Sequence, residues 1–538
     1  MPSAAVLPMI AARQLSSQTG RGRKPAQPPT TTKIAASFAN VEAPILGGKS
    51  EPKVVPPMAA PEVIRAVPMS SSLAGNAAYE VERNTLERQL SSLDLTIIQE
   101  PSKEQVEADN LPRSDIIARS VTILRENDFG GYTIPAKGLY PYQWNWDSAL
   151  VAMGWAMFDE ARAWEELETL FSAQWADGMV PHIVFHRPCS TYFPGPDTWQ
   201  AGSSTHSSTG ITQPPVAAIS VRKIVEGSGN REAALRRAAA LFPKLMRWHR
   251  WFVTARDPEG RGLVATLHPW ESGMDNSPMW DEALAAVPVD PIPPYVRKDL
   301  GHVDSAMRPK QAEYDRYLTL LYRFRAVGYD PAQLYHMSPF RVSDVCTNSV
   351  LYRANRDLRW LALQLNETEA VFEIDSWLER ARAGFETLWD GSAGIYRSQN
   401  QLTGTLIPAA TSGGFLPLFA GVPSTDRASV LADTISRWAD SVRYSVPSFD
   451  PADVRFEPLR YWRGPVWAIV NWMITDGLRS YGHHKLAERV IRDTRTLTSS
   501  SGMYEYFNPI DGAGAGGNNF SWTAAMCLMW LDRKTEGQ

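Results

Sequence analysis

From residue 114 onward, apolar positions recur three and four residues apart, the spacing that gathers them on one face of a helix. The period predicts helices over 114–126, 148–158, 160–174, 214–226, 231–253, 311–327, 342–362, 367–387, 425–438, 465–479, 483–496 and 521–532. The stretch 270–281 is a further candidate, although the Ser, Gly and Asn around its two acids argue against a regular helix there. Strand-like alternation is confined to short pieces such as 262–267. The connecting segments are of two kinds: many alternate ones carry Trp, Tyr, Gly and acids, while the others are plain. Paired helices that send their aromatic-rich loops to one end predict an all-α protein, an α/α toroid with a cleft at that end. A generic helical stack is the plainer alternative, and the asymmetry between the loops favours the toroid.

The pattern fails before residue 110. Residues 1–75 are rich in Pro, Ser, Ala, Thr and Gly, with no acid before Glu42, and they carry Arg13, Arg21, Arg23, Lys24 and Lys33. Such a segment cannot bury a core, and it reads either as a disordered tail or as an organelle transit peptide. Residues 76–110 form an extension in which Leu86, Leu90, Leu93 and Ile97 fall near one face of a single helix, before Pro101 and Pro112 interrupt. The catalytic domain is expected over 111–535. A cytoplasmic location follows if the tail is retained, an organelle stroma or matrix if it is a transit peptide.

Composition narrows the function classes. The 538 residues are 44% hydrophobic and carry a formal charge of -4 with no strongly basic half, which argues against nucleic acid or an anionic membrane as partner. No run approaches the ~18 apolar residues of a membrane span. Cys189, Cys346 and Cys527 fit no metal spacing and no disulfide framework, so a reducing compartment is expected. The informative excess is aromatic: many of the 19 Trp and 18 Tyr lie beside Gly, Pro, Asp or Arg instead of inside apolar runs. Rings in such loops offer flat faces to sugar C–H groups, and Tyr and Trp add a polar handle. Core filling is the alternative use.

The densest chemistry lies at His268-Pro-Trp-Glu-Ser-Gly-Met-Asp-Asn-Ser277, with Glu271 and Asp275 four apart, and a second acid is best sought in Tyr504-Glu505-Tyr506. Two carboxyls across a sugar perform glycoside hydrolysis, and the inverting reaction sets them about 6.5–9.5 Å apart to admit a water. The acid must be protonated when substrate arrives, so its pKa has to rise by burial or a like charge, while the base stays ionised. Asp275 could instead cap a turn, Glu505 could be an exposed loop acid, and Glu271 could replace Asp275 as the acid, its other role being to bind sugar hydroxyls. Gly130, Gly131 and Gly138 point to a mobile loop over the mouth, or to close packing. His182, His186, His206 and His268 lack zinc-site spacing, and Ser272 lacks a nucleophile elbow. The run 508–519 is glycine-rich but lacks the Lys-Ser/Thr ending of a phosphate loop. No metal or cofactor is required.

Several of these segments carry a resemblance. Tyr140-Pro-Tyr-Gln-Trp-Asn-Trp-Asp147, Gln174-Trp-Ala-Asp-Gly-Met-Val-Pro-His182, Gly210-Ile-Thr-Gln-Pro-Pro215, His268-Pro-Trp-Glu-Ser-Gly-Met-Asp275, Tyr461-Trp-Arg-Gly-Pro-Val-Trp467 and Tyr504-Glu505-Tyr506 resemble the inverting α-glycosidases of glycoside hydrolase family 63. Within it they resemble the mannosylglycerate and glucosylglycerate hydrolases, over roughly residues 114–532. The resemblance implies an (α/α)6 barrel, Asp275 as general acid and Glu505 as general base. It implies that Arg308, Tyr314 and Tyr192 recognise glycerate, with Tyr461 nearby, and that Trp144, Asp147, Gln213 and Trp270 wall the sugar. Tyr140, Gln174, Trp462 and Trp467, from the same motifs, join the expected binding set. The planar donor fork of Arg308 suits a carboxylate. The reaction implied is inverting hydrolysis of the α-glycosidic bond of glucosylglycerate or mannosylglycerate to hexose and glycerate, on a small-molecule substrate, by a monomer or homo-oligomer. Two other readings stand beside it: an α-glucosidase on a disaccharide or glycan, and a non-catalytic sugar-binding helical protein, which would leave Asp275 and Glu505 apart.

Overall fold

A computed structural model of the chain describes residues 113–531, so the tail expected over 1–75 and the extension and helix expected over 76–110 lie outside the described residues. The helices alternate between an inner and an outer ring. The inner ones are α2 (Asn145–Trp155), α4 (Ala217–Gly227), α7 (Val345–Gln364), α9 (Pro417–Ala420), α11 (Ala468–Ser480) and α13 (Ser521–Met526). Each touches the next and α13 returns to α2, which closes the ring. Outside them lie α1 (Arg113–Glu126), α3 (Glu160–Ser172), α5 (Arg231–Trp251), α8 (Thr368–Glu386), α10 (Thr425–Asp440) and α12 (His484–Ser500). Helices α3, α5, α8 and α12 pack on the inner helix that precedes them in the chain, and α1 packs on α13. For α10 the bridge is Trp438, whose ring meets Phe415 at 4.8 Å just before α9. The architecture is the expected (α/α)6 toroid.

The two rings differ in sequence as they differ in surroundings. Every residue of α2 is buried, from Asn145 to Trp155, because neighbours surround an inner helix on all sides. Outer α12 buries only a stripe, with Ala487, Val490, Ile491, Thr494, Leu497 and Thr498 at helical spacing. The links from inner to outer helix are minimal: 156–159, 228–230, 365–367, 421–424 and 481–483. Three of them end on a side chain that caps the next helix: Asp159 accepts from the Arg162 N–H, Asn230 from Ala233 and Ser424 from Arg427. Each such cap is worth about 1 kcal/mol.

All six opposite links are long: 127–144, 173–216, 252–344, 387–416, 441–467 and 501–520. They hold all the described strands, each only two residues long. One sheet has the order β1 (Gln143–Trp144), β2 (Ile183–Val184), β4 (Ser207–Ser208), β3 (Ala201–Gly202), and its antiparallel pairing of Trp144 with Ile183 ties the first long link to the second. Another pairs β5 (Tyr506–Phe507) with β6 (Gly514–Ala515). An extra helix, α6 (Gln311–Ala326), belongs to the third link and stands outside the two rings.

Three local expectations change. The alternation at 262–267 yields a single bridge, Thr266 to Val342. The candidate helix at 270–281 breaks into two 3-10 turns, Pro269–Ser272 and Pro278–Trp280, with Gly273 left-handed at φ 70° between them. The helix expected over 342–362 starts at Val345, capped by Asp344, because Val342 and Ser343 pair with Asn400 and Gln399 instead. Among the described residues, no helix is long and apolar enough to cross a membrane.

Candidate active site

Five of the six long links converge on one cavity. The first contributes Tyr140 and Trp144 and runs into Asp147 in the first turn of α2; the second contributes His182, Tyr192 and Gln213. The third brings Trp270, Asp275, Asp299 and Arg308, with Tyr314 from α6. Tyr461 comes from the fifth and Glu505 from the sixth. Eleven of the fifteen residues expected from the sequence therefore meet here.

Asp275 hangs from a turn that is fixed at every step. Ser272 donates to the Pro269 carbonyl and accepts from the Met274 N–H, and the Trp280 indole donates to the Met274 carbonyl at 2.7 Å. A side chain at Gly273 would strike the Trp146 ring. The Tyr317 hydroxyl donates to the carbonyl of Asp275 itself at 2.7 Å. The fifth link holds the next residue: the Trp462 N–H donates to the Asn276 side-chain oxygen and Arg463 to the Asn276 carbonyl. Tyr461, beside Trp462, adopts a left-handed φ of 42°. That conformation costs about 1–3 kcal/mol in a non-glycine residue and persists only where surroundings enforce it. Here Trp462 is tied to Asn276, and Arg460 donates to the Arg308 carbonyl at 2.9 Å.

Glu505 immediately precedes β5. Its Oε2 accepts from the Gly517 N–H at 3.0 Å, its Oε1 from the Tyr140 hydroxyl at 2.8 Å, and the Trp522 indole donates to its carbonyl. Gly516, left-handed at φ 71°, lies so close that a Cβ there would meet the Glu505 carboxylate. Arg308 is buried, donating from Nη1 to the Tyr140 hydroxyl at 2.8 Å and from Nε to Asp299 at 3.0 Å, with its guanidinium 4.5 Å from the Tyr461 ring centre. Arg297 donates twice to Asp299 and once to the Pro309 carbonyl, and so locks the segment that carries Arg308.

Burial sets the protonation states apart from those of water. It pushes Asp275 up to about 7; the positive charge of Arg308 opposes the rise and Glu505 adds to it. Burial also raises Asp147, with the Glu505 charge in the same direction. Glu505 is raised by burial too, against Arg308, the Gly517 N–H and the hydroxyls of Tyr140 and Tyr461, all of which favour its anion. The donors decide the roles the arrangement supports. Glu505 receives an N–H and an O–H that suit a carboxylate, whereas among the described residues no side chain donates to the Asp275 carboxyl. Two buried carboxyls in different hydrogen-bonding surroundings thus share one cavity. His182, pushed down to about 3 by burial, is a neutral imidazole in the wall, and its Nδ1 has no partner among the described residues.

Four expected binding residues stand outside the cavity wall. Glu271 turns away from Asp275 because the 3-10 turn places the two on different sides; its oxygens accept from buried Arg256 at 2.6 Å and from the Leu267 N–H at 2.8 Å. Gln174 donates to the carbonyls of Gly178 and Lys244 and shapes its own loop. Trp462 and Trp467 stack on each other at 3.7 Å, with Tyr461 packed on their edges. Reasoning from sequence missed Asp299, Tyr317, Asn276, Arg463 and Gly517, which act through contacts across the chain. Asn276 beside Asp275, Arg463 in the 461–467 motif and Gly517 in the glycine-rich run 508–519 carried a local signal; Asp299 and Tyr317 carried none. Among the described residues, no group of three His, Cys, Asp or Glu side chains could hold a metal.

A toroid of helix pairs with two buried carboxyls and aromatic walls at its loop-rich end has the layout of a glycoside hydrolase. Comparison with known proteins specifies the family: residues 140–523 match the model of the mannosylglycerate hydrolase MGH1-like glycoside hydrolase domain. Mannosylglycerate hydrolase MGH1 of Selaginella moellendorffii is 64% identical over 409 residues, 76% of this chain and 84% of that protein. Glucosylglycerate hydrolase of Mycolicibacterium hassiacum is 38% identical over 437 residues, 78% of this chain and 98% of that one. A crystal structure of the family 63 mannosylglycerate hydrolase of Thermus thermophilus, in complex with Tris and D-glycerate, aligns with a TM-score of 0.75 at 51% identity, over 77% of this chain and 99% of that one. The chain belongs to this glycoside hydrolase family.

Proposed function

We propose that the protein hydrolyses the α-glycosidic bond of mannosylglycerate or glucosylglycerate with inversion, releasing the hexose and glycerate. Asp275 delivers its proton to the glycosidic oxygen as the bond to the anomeric carbon breaks. Glu505 takes a proton from the water that attacks the opposite face. Arg308 offers its guanidinium to the glycerate carboxylate, with Tyr192, Tyr314 and Tyr461 around it. Trp144, Asp147, Gln213 and Trp270 receive the hexose. The observation that carries the reading is a buried arginine in the same cavity as the two acids. Arg308 is already paired with Asp299 through Nε, and a glycerate carboxylate offers its guanidinium a second anion that a neutral disaccharide lacks, which disfavours an ordinary α-glucosidase. The relatives named for mannosylglycerate and for glucosylglycerate support the substrate class.

The test is hydrolysis of both glycosides by wild type, Asp275→Ala and Arg308→Ala. Asp275→Ala loses turnover, and Arg308→Ala raises KM for either glycerate glycoside. If Arg308→Ala leaves KM for the glycerate glycosides unchanged, the substrate assignment fails.

A further inference from the structure

The Tyr140 hydroxyl sits between three partners: Arg308 Nη1 at 2.8 Å, Glu505 Oε1 at 2.8 Å and the Tyr461 hydroxyl at 3.1 Å. Their donor and acceptor capacities fix the sense of the two bonds that run from Arg308 to Glu505. A guanidinium only donates, so the Tyr140 oxygen must accept from Arg308. An ionised carboxylate only accepts, so the Tyr140 proton must point to Glu505. Tyr461 has one proton to place, on the second lone pair of Tyr140 or on the Glu505 carboxylate. Behind Arg308, Asp299 accepts from Nε at 3.0 Å and is itself gripped twice by Arg297. The result is a chain in which Arg308 donates both ways, to Asp299 on one side and to Tyr140 on the other, and Tyr140 passes the sense on to Glu505. All four residues line the cavity, and they come from the third, first and sixth long links.

We propose that Tyr140 is a positioning residue for the general base, and that Arg308, besides meeting the glycerate carboxylate, fixes the sense of the hydrogen bond that holds Glu505 ionised and aimed at the attacking water. The proposal rests on the assignment of Glu505 as base made above. Tyr140 then does more than line the wall of a binding site. Its donated bond and the charge of Arg308 oppose the burial that would protonate Glu505. A chain of this kind joins aglycone recognition to the water-activating side of the reaction, so a loss at Tyr140 is felt by substrates that lack glycerate altogether.

The experiment uses Tyr140→Phe, which keeps the ring and removes only the hydroxyl, with Glu505→Gln as reference. The substrate is the α-glycosyl fluoride of the hexose the enzyme prefers. Fluoride departs without a proton and carries no glycerate, so its release reports the base and the water alone. The positioning role predicts a kcat on the fluoride about tenfold or more below wild type, with unchanged melting temperature. It also predicts that the acid limb of kcat/KM on the glycerate glycoside moves to higher pH, because Glu505 without its donor protonates more readily. Arg308→Gln lowers the fluoride kcat as well. If Tyr140→Phe releases fluoride within twofold of wild type and leaves the acid limb in place, Tyr140 serves binding only and the proposal falls. If Glu505→Gln itself releases fluoride at the wild-type rate, it is the assignment of the base that falls.

Discussion

Glu271 provides a sharp test of how the acids divide their work. It lies four residues before Asp275 and looks from its neighbours like a sugar ligand, yet it faces a buried Arg256. Its two oxygens accept from two fixed donors, Arg256 Nη2 at 2.6 Å and the Leu267 N–H at 2.8 Å. In Glu271→Gln the amide has one acceptor and one donor where two acceptors are needed, so one of those N–H groups meets an NH2. The buried guanidinium also loses its anion, and its remaining company is the Trp251 ring at 4.5 Å and the Ala255 carbonyl at 3.4 Å. Breaking a buried pair from one side costs about 3–5 kcal/mol, and the amide's surviving acceptor puts this change near 3. Denaturant unfolding followed by tryptophan emission should show a markedly lower midpoint. KM of the remaining folded enzyme should stay near wild type. Replacing both partners, Arg256→Met with Glu271→Leu, should recover much of the loss, since no charge is left stranded. The reasoning is refuted if Glu271→Gln unfolds at the wild-type midpoint while KM rises tenfold, for then the carboxylate reaches the sugar.

Other consequences are direct. The pH profile of kcat/KM should fall on its alkaline side near pH 7, as Asp275, raised to about 7, loses the proton it must donate, and on its acid side as Glu505 gains one; Asp275→Asn should cut turnover of the glycerate glycoside by two orders of magnitude or more. Gly516→Ala should lower kcat more than tenfold, because its Cβ would displace the Glu505 carboxylate and its φ of 71° is strained for alanine; unaltered kcat would mean that the base tolerates movement. Tyr317→Phe removes the donor to the Asp275 carbonyl and should reduce kcat several-fold with little change in KM, read from steady-state kinetics.

Most of the scaffold was legible because its helices are long enough to show a period and amphipathic enough to show a face. The pattern predicted eleven of the twelve ring helices within a few residues of their ends. The exception is α9, which is only Pro417–Ala420; four residues complete the inner ring but hold no readable period. The break at 270–281 was half legible, as Gly273 and the prolines at 269 and 278 are what divide it. At the site, Asp275 and Glu505 stood out because each lies in a dense loop motif. Glu271 misled because spacing along the chain does not say which way a 3-10 turn aims a side chain. Trp462 and Trp467 belong to the matched motifs but support Tyr461 from behind. Asp299 and Tyr317 gain their roles only when distant links meet, at Arg308 in one case and Asp275 in the other.

The central claim is that Asp275 protonates the leaving oxygen while Glu505 directs water to the opposite face. Proton NMR of the first hexose released from an α-linked glycerate glycoside tests it most directly, recorded before the sugar mutarotates. The account predicts the β-anomer first, accumulating at a rate that Glu505→Gln abolishes. The α-anomer appearing first, or undiminished release by Glu505→Gln, would contradict it.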